Sequence, residues 1–295
     1  MSLFRIPADP TIYAVLPQEL IDKVVDSVDP TDLQTFRVSA LISKSWIHPS
    51  RAMLFRSVNI TSGVMFQRWC FKTIPGPTGP GRFVHSLTFD EMRGKWITPE
   101  ALSMGERHLR SFKNLVSLTI VGLQINYFFD DSDLSRCFGS FCRGVREVRL
   151  VRPHGSPRII VPFIQQFPLI QRLSVEFYAE TWSPSPDMEE YTSVGFTGAF
   201  QLVSDASTDR GERQLFVLSL LRFPIQYKEI SVVGSLGHSW QYLSLLRACS
   251  KTLEKLRMVD IRLEPWRERI WGWPQGVIYL FHPFDNPLTD NSSLG

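Results

Sequence analysis

From Phe55 to Met258 the apolar residues recur in a six-residue motif, apolar-x-x-apolar-x-apolar. Clear copies start at Phe55, Val84, Leu115, Val145, Ile170, Tyr227 and Leu253, at intervals of 29, 31, 30, 25, 57 and 26 residues. The interval of 57 spans two units, and a weaker copy, Thr197…Phe200…Leu202, falls inside it. The spacing therefore predicts about eight turns of roughly 28 residues each. Within a copy the last two apolar positions are two residues apart, the period of a strand with one buried face. Amphipathic, helix-like stretches separate most copies: Thr98–Leu102, Asp133–Cys142, Ile159–Phe167, Gln214–Arg222 and Trp240–Ala248. A strand and helix of this length leave one apolar side that only the next unit can cover. The pattern thus predicts an α/β stack with a parallel sheet on its concave side and helices outside. An ordinary α/β domain is the alternative.

Before the repeat the period changes to that of helices. Leu20, Val24 and Val28 recur at i, i+4 and i+8 with Ile21 and Val25 beside them, while Asp22, Lys23, Asp26 and Ser27 take the other face. Leu16-Pro17 precedes this helix, with Pro at its first turn and Glu19 just inside. Pro30 ends it, and Asp29 or Thr31 is expected to cap a second, short helix with Leu33, Phe36 and Val38. A third is expected from about Ala40 to Phe55, carrying Leu41, Ile42, Trp46, Met53 and Leu54, with Pro49 kinking or splitting it. Three such helices cannot bury every apolar face among themselves. They either cap the following domain or dock on a partner.

Three blocks in this order, Leu16-Pro17-x-Glu19-Leu20-Ile21, Asp29-Pro30-Thr31-Asp32-Leu33 and Leu41-Ile42-Ser43-Lys44-Ser45-Trp46, resemble the F-box family. The likeness is greatest to the form abundant in mushroom-type fungi, which continues, as here, into Arg51-x-x-Leu54-Phe55-Arg56. It spans about residues 14–56 and departs from the family at Val38-Ser39-Ala40. It implies a three-helix module that docks on a Skp-family adaptor and, through it, on a cullin–RING ubiquitin ligase. The residues matching the family's contact positions are Leu16, Pro17, Leu20, Ile21, Leu33, Leu41, Ile42 and Trp46. The repeat behind it resembles leucine-rich repeats, which commonly follow an F-box. It lacks their Asn ladder: the equivalent positions hold Met92, Leu123, Pro153, Tyr178, Ser235 and Ile261. The turns must then satisfy their backbone groups in another way. The expected fold is α/β, an F-box module at 14–56 followed by an irregular leucine-rich-repeat-like solenoid at 57–264 and an atypical or truncated segment at 265–295. The function implied is a substrate-recognition adaptor of an SCF-type ligase, the solenoid selecting an unknown protein substrate. A repeat scaffold with no ligase attached is the other reading.

Composition narrows the partners. The chain is 43% apolar and 21% charged, with 21 Phe and a net charge of +3 from interspersed signs. That gives no field for nucleic acid or membrane. The opening residues lack an apolar run of signal-peptide length, and no stretch of about 18 apolar residues occurs. A soluble protein of cytoplasm or nucleus is expected, and the acceptor-like Asn59-Ile60-Thr61 and Asn291-Ser292-Ser293 carry no weight. Cys70, Cys137, Cys142 and Cys249 form no close pair and read as buried, reduced thiols.

Chemistry is hard to place. The six histidines, at 48, 85, 108, 154, 238 and 282, have no metal-ligand spacing. Asp130-Asp131-Ser132-Asp133 begins like a calcium loop, lacks the later Gly and Glu, and reads as a helix N-terminus. No nucleophile elbow or phosphate-binding glycine loop occurs. No catalytic residue, metal or cofactor is therefore assigned, and the chain is expected not to be an enzyme. Pro75–Gly81 and Thr181–Glu190 are loops, either connectors or recognition segments. Pro265–Trp273 sets three Trp beside charged residues, an aromatic and arginine-rich anchor or an atypical terminal repeat. The stretch Asp285–Leu294 looks like the approach to a strand that never arrives.

Overall fold

A computed structural model describes residues 16–73, 79–92, 96–122, 139, 141–154, 157–177, 196–204, 216–217, 220–221, 225–233, 240–259 and 278–282. The chain divides into two compact units, 1–57 and 58–295.

The first unit is three helices, α1 (Gln18–Ser27), α2 (Leu33–Ile42) and α3 (Lys44–Leu54). Pro17 lies just outside α1, and its carbonyl accepts from the Leu20 and Ile21 amides. Asp32, rather than Asp29 or Thr31, caps α2: its carboxylate accepts from the Thr35 amide at 3.0 Å and the Thr35 hydroxyl at 2.6 Å. Asp29 is occupied one turn earlier, accepting both the amide and the hydroxyl of Thr31. These hydrogen bonds hold both exposed carboxyls below their ordinary range. The second helix is longer than expected. Leu41 and Ile42 belong to α2, because the break comes at Ser43, which is fully extended at φ −161° and ψ 170°.

Pro49 lies inside α3 without ending it. Having no N–H, it leaves the Ser45 carbonyl without the donor a helix normally supplies. Gln18 fills that place: its Nε2 donates to the Ser45 oxygen at 3.2 Å and to Asp22 Oδ1 at 2.8 Å. The proline thus creates the acceptor that ties α1 to α3. The core of the unit is small, with Ile21, Val25 and Phe36 buried and Val28, Trp46, Met53 and Leu54 packed around them.

The second unit is a nine-stranded sheet whose strands lie in sequence order. They are β1 (Ser57–Ile60), β2 (Ser86–Asp90), β3 (Ser117–Val121), β4 (Glu147–Val151), β5 (Arg172–Phe177), β6 (Phe196–Ser204), β7 (Ile225–Val233), β8 (Lys255–Val259) and β9 (Ile278–His282). From β2 to β9 every pairing is parallel. Parallel neighbours require a crossover between them. The described helices of this unit are α4 (Gly63–Lys72), between β1 and β2, and, in the parallel crossovers, α5 (Pro99–Leu109), α6 (Pro157–Gln165) and α7 (Trp240–Ala248). The first of these, capped by Ser62 accepting from the Met65 amide, was not marked in the sequence. Most of Asp133–Cys142 and Gln214–Arg222 lies outside the described residues.

Register explains the motif. Its fourth position forms one row across the sheet, Leu87, Leu118, Val148, Leu173, Phe200, Ile230 and Leu256, and its sixth the next, Phe89, Ile120, Leu150, Val175, Leu202 and Val232, ending on Met258. Apart from the partly buried Met258, both rows are buried in one continuous core. The weak copy is weak for a physical reason. The β6–β7 register slips at Gly198, which sits at φ +87° with its would-be Cβ 2.1 Å from the Gln171 carbonyl oxygen. Only glycine passes there, and the space is filled from Phe196, which stacks on Tyr227 at 6.5 Å between ring centroids.

The missing Asn ladder is replaced by the backbone itself. One residue past each strand, the amides of Glu91, Gly122 and Arg152 donate to Val121, Val151 and Glu176 of the next strand. The buried Glu91 carboxylate then accepts from the Trp96 and Ile97 amides at 3.0 and 2.7 Å. Strand β9, at 278–282, adds to the sheet within the segment read as atypical, and the Tyr279 and Phe281 positions align with Leu256 and Met258. Trp266–Trp273 and Asp285–Leu294 lie outside the described residues, as do Thr181–Glu190 and Asp130–Asp133.

Tyr227 carries the only polar atom in this part of the core that lacks a partner among the described residues. It is buried, stacked on Phe200 at 5.1 Å, and its hydroxyl makes no hydrogen bond. Burial drives its pKa upward. An unsatisfied buried hydroxyl costs about 1–3 kcal/mol. Tyr227→Phe is therefore expected to hold or raise the melting temperature, whereas a drop of several degrees in a thermal scan would mean the hydroxyl has a partner.

Candidate docking surface on the N-terminal helices

A helix that buries one stripe leaves the residues next to it to solvent. On α1 the buried stripe is Ile21 and Val25, and the neighbouring Leu20 and Val24 stay exposed, as does Leu16 just before the helix. On α2 Phe36 and Ser39 turn inward, while Leu33, Val38, Leu41 and Ile42 are exposed. Leu41 is the extreme case at 85%. None of these side chains belongs to the unit's buried cluster. Exposed aliphatic groups that gather into one patch are a mark of an interaction surface.

The eight residues singled out in the sequence divide. Leu16, Pro17, Leu20, Leu33, Leu41 and Ile42 are exposed. Ile21 is not: at 1% exposure it belongs to the core, on the same stripe of α1 as Val25 and in one buried cluster with Val25 and Phe36. Trp46 is half-buried, packed against the same core. Two further exposed aliphatic residues on these helices, Val24 and Val38, were not among the eight. The signal for both was present as the four-residue spacing from Leu20 and to Ile42.

The second unit has its own exposed apolar side chains on α4 and α5, Val64, Met65, Phe71 and Met104, which the sequence reading did not single out. Beneath them the helices meet closely. A Cβ on Gly105 would stand 2.1 Å from the Phe66 ring.

Among the described residues no cluster of His, Cys, Asp and Glu has a geometry that holds a metal. Nor is any described helix long and apolar enough to cross a membrane. Cys142 and Cys249 are buried and Cys70 is half-buried. Burial pushes the Cys70 thiol up to about 11 and raises that of Cys249 as well, so both are protonated at neutral pH. No protein-family model and no curated protein matches the chain.

Proposed function

We propose that the chain is a substrate receptor of an SCF-type ubiquitin ligase, its N-terminal helices docking a Skp-family adaptor and its sheet unit engaging a protein substrate. The observation that carries this reading is the exposed aliphatic set Leu16, Leu20, Val24, Leu33, Val38, Leu41 and Ile42 on helices that already have a core of their own. An open aliphatic set on such helices is what a docking module presents to a partner. The motif blocks that resemble an F-box lie on these same helices. Strands stacked in sequence order, all parallel from β2 onward, support reading the second unit as a leucine-rich-repeat-like solenoid. In this role the chain supplies proximity between substrate and ligase, and a cullin-bound partner supplies the transfer.

The test is capture of the full chain by a purified Skp-family adaptor, comparing wild type with Leu20→Asp, Leu41→Asp. Both side chains are exposed, so the double variant should keep its circular dichroism spectrum and melting temperature. Its capture is expected to fall at least about tenfold, as when buried interface anchors are lost. Ile21 is unsuitable for this purpose, since a charge there would unfold the unit. Failure of wild type to bind would remove the ligase assignment and leave a repeat scaffold.

A further inference from the structure

The open face of the sheet, opposite the buried rows, is also built in rows by register. On β6, β7 and β8 one row reads Ala199, Glu229, Lys255 and the next Gln201, Ser231, Arg257, while Val203 and Val233 pair one step further on. The first row is internally neutralised: Lys255 Nζ lies 2.8 Å from Glu229 Oε1. Just outside it Lys228 and Glu254 pair likewise at 2.9 Å. The middle row is different. Gln201, Ser231 and Arg257 make no side-chain hydrogen bond or ion pair among the described residues, and all three carry donors. Arg257 is exposed and is the one charge of these three strands' open face left without an opposite charge among the described residues. Val203 and Val233 beside it are half-buried. On β5, by contrast, Ser174 and Glu176 are buried and Glu176 is bound to Arg149, so this segment is bounded on that side.

We infer that this segment holds an extended piece of a partner polypeptide in which an acidic side chain is followed two residues later by a branched aliphatic one. The inference rests on the substrate-receptor reading and specifies its partner. Charge complementarity selects the acid: a guanidinium with no carboxylate of its own among the described residues, beside a hydroxyl in the same row and with an amide one strand further, offers donors to a carboxylate. Spacing selects the second residue. Positions two apart on β7 are about 6.6 Å apart, as are alternate side chains of an extended peptide lying along it. A carboxylate over Ser231 and Arg257 thus brings the next side chain on that face over Val203 and Val233. The neutralised outer row adds no competing field.

The probes are short fluorescein-labelled peptide pools with Glu-x-Ile, Lys-x-Ile or Glu-x-Ser fixed and the remaining positions varied, titrated with the full chain by anisotropy. The Glu-x-Ile pool is expected to bind best, to weaken with salt, and to lose about tenfold in affinity in Arg257→Glu, the scale of a lost charged interface contact. Val233→Thr, close in shape, should weaken the same pool without altering its salt dependence. Equal binding of the three pools, no binding of the Glu-x-Ile pool, or binding unchanged in Arg257→Glu would overturn the inference. Arg257→Glu should still be captured by the adaptor, and Leu20→Asp, Leu41→Asp should still bind peptide. Loss of one activity thereby reports on one surface only.

Discussion

Replacing Phe36 by Ala is expected to unfold the N-terminal helices and with them any adaptor capture. The ring is completely buried and is the only side chain α2 contributes to a buried apolar cluster whose other fully buried members are Ile21 and Val25. Removing a buried Phe ring costs about 3–5 kcal/mol, from lost transfer energy and from the cavity left behind. A larger core can share such a loss. One this small holds a margin of about the same size as the loss itself. Urea unfolding followed by circular dichroism should show a missing helical transition in Phe36→Ala. Phe36→Leu, which keeps most of the volume, should remain folded at a cost nearer 1 kcal/mol. A full-amplitude transition in Phe36→Ala would mean that the exposed row contributes more to the fold than its solvent accessibility suggests.

The second large effect is expected at Gly198, where two costs coincide. An alanine there would sit at φ +87°, in the half of conformational space that side chains disfavour by about 1–2 kcal/mol. Its Cβ would also meet the Gln171 carbonyl at 2.1 Å, and backbone cannot move aside as a flexible side chain can. Overpacking of this kind adds about 1–3 kcal/mol. Gly198→Ala should therefore lower the denaturant midpoint by an amount equivalent to several kcal/mol. Ala199→Ser, one residue along on the open face, should change it by less than about 0.5 kcal/mol. A mild Gly198→Ala would show that the β6–β7 slip can relax.

How much of this was legible depended on whether a property was periodic. The strand positions follow from the spacing of apolar residues: Leu87 and Phe89, Leu118 and Ile120, Val148 and Leu150 are buried where the motif puts them. Even the weak copy was found, since Phe200 and Leu202 keep their spacing when the first position is lost. Strand β9 was not legible because Gly276 stands where its first apolar position should be. The N-terminal site was half legible. Spacing by four identified an apolar face on α1 broad enough to hold Leu20, Ile21, Val24 and Val25. It could not divide that face into the stripe a neighbouring helix takes and the row left outside.

The sequence by itself determined the strand positions from β1 to β8 with their period, and the change from helices to strands near Phe55. Those are local properties, set by side-chain spacing, capping residues and proline. Only the tertiary structure decided which apolar residues are core and which are surface, because burial depends on what packs against a helix and not on the helix alone. Ile21 and Leu20, adjacent in the chain and alike in chemistry, are separated by packing: one is buried in the cluster with Val25 and Phe36 and the other is half exposed. Register likewise belongs to the folded sheet. It is what aligns Gln201, Ser231 and Arg257, residues from three strands, into one row of donors.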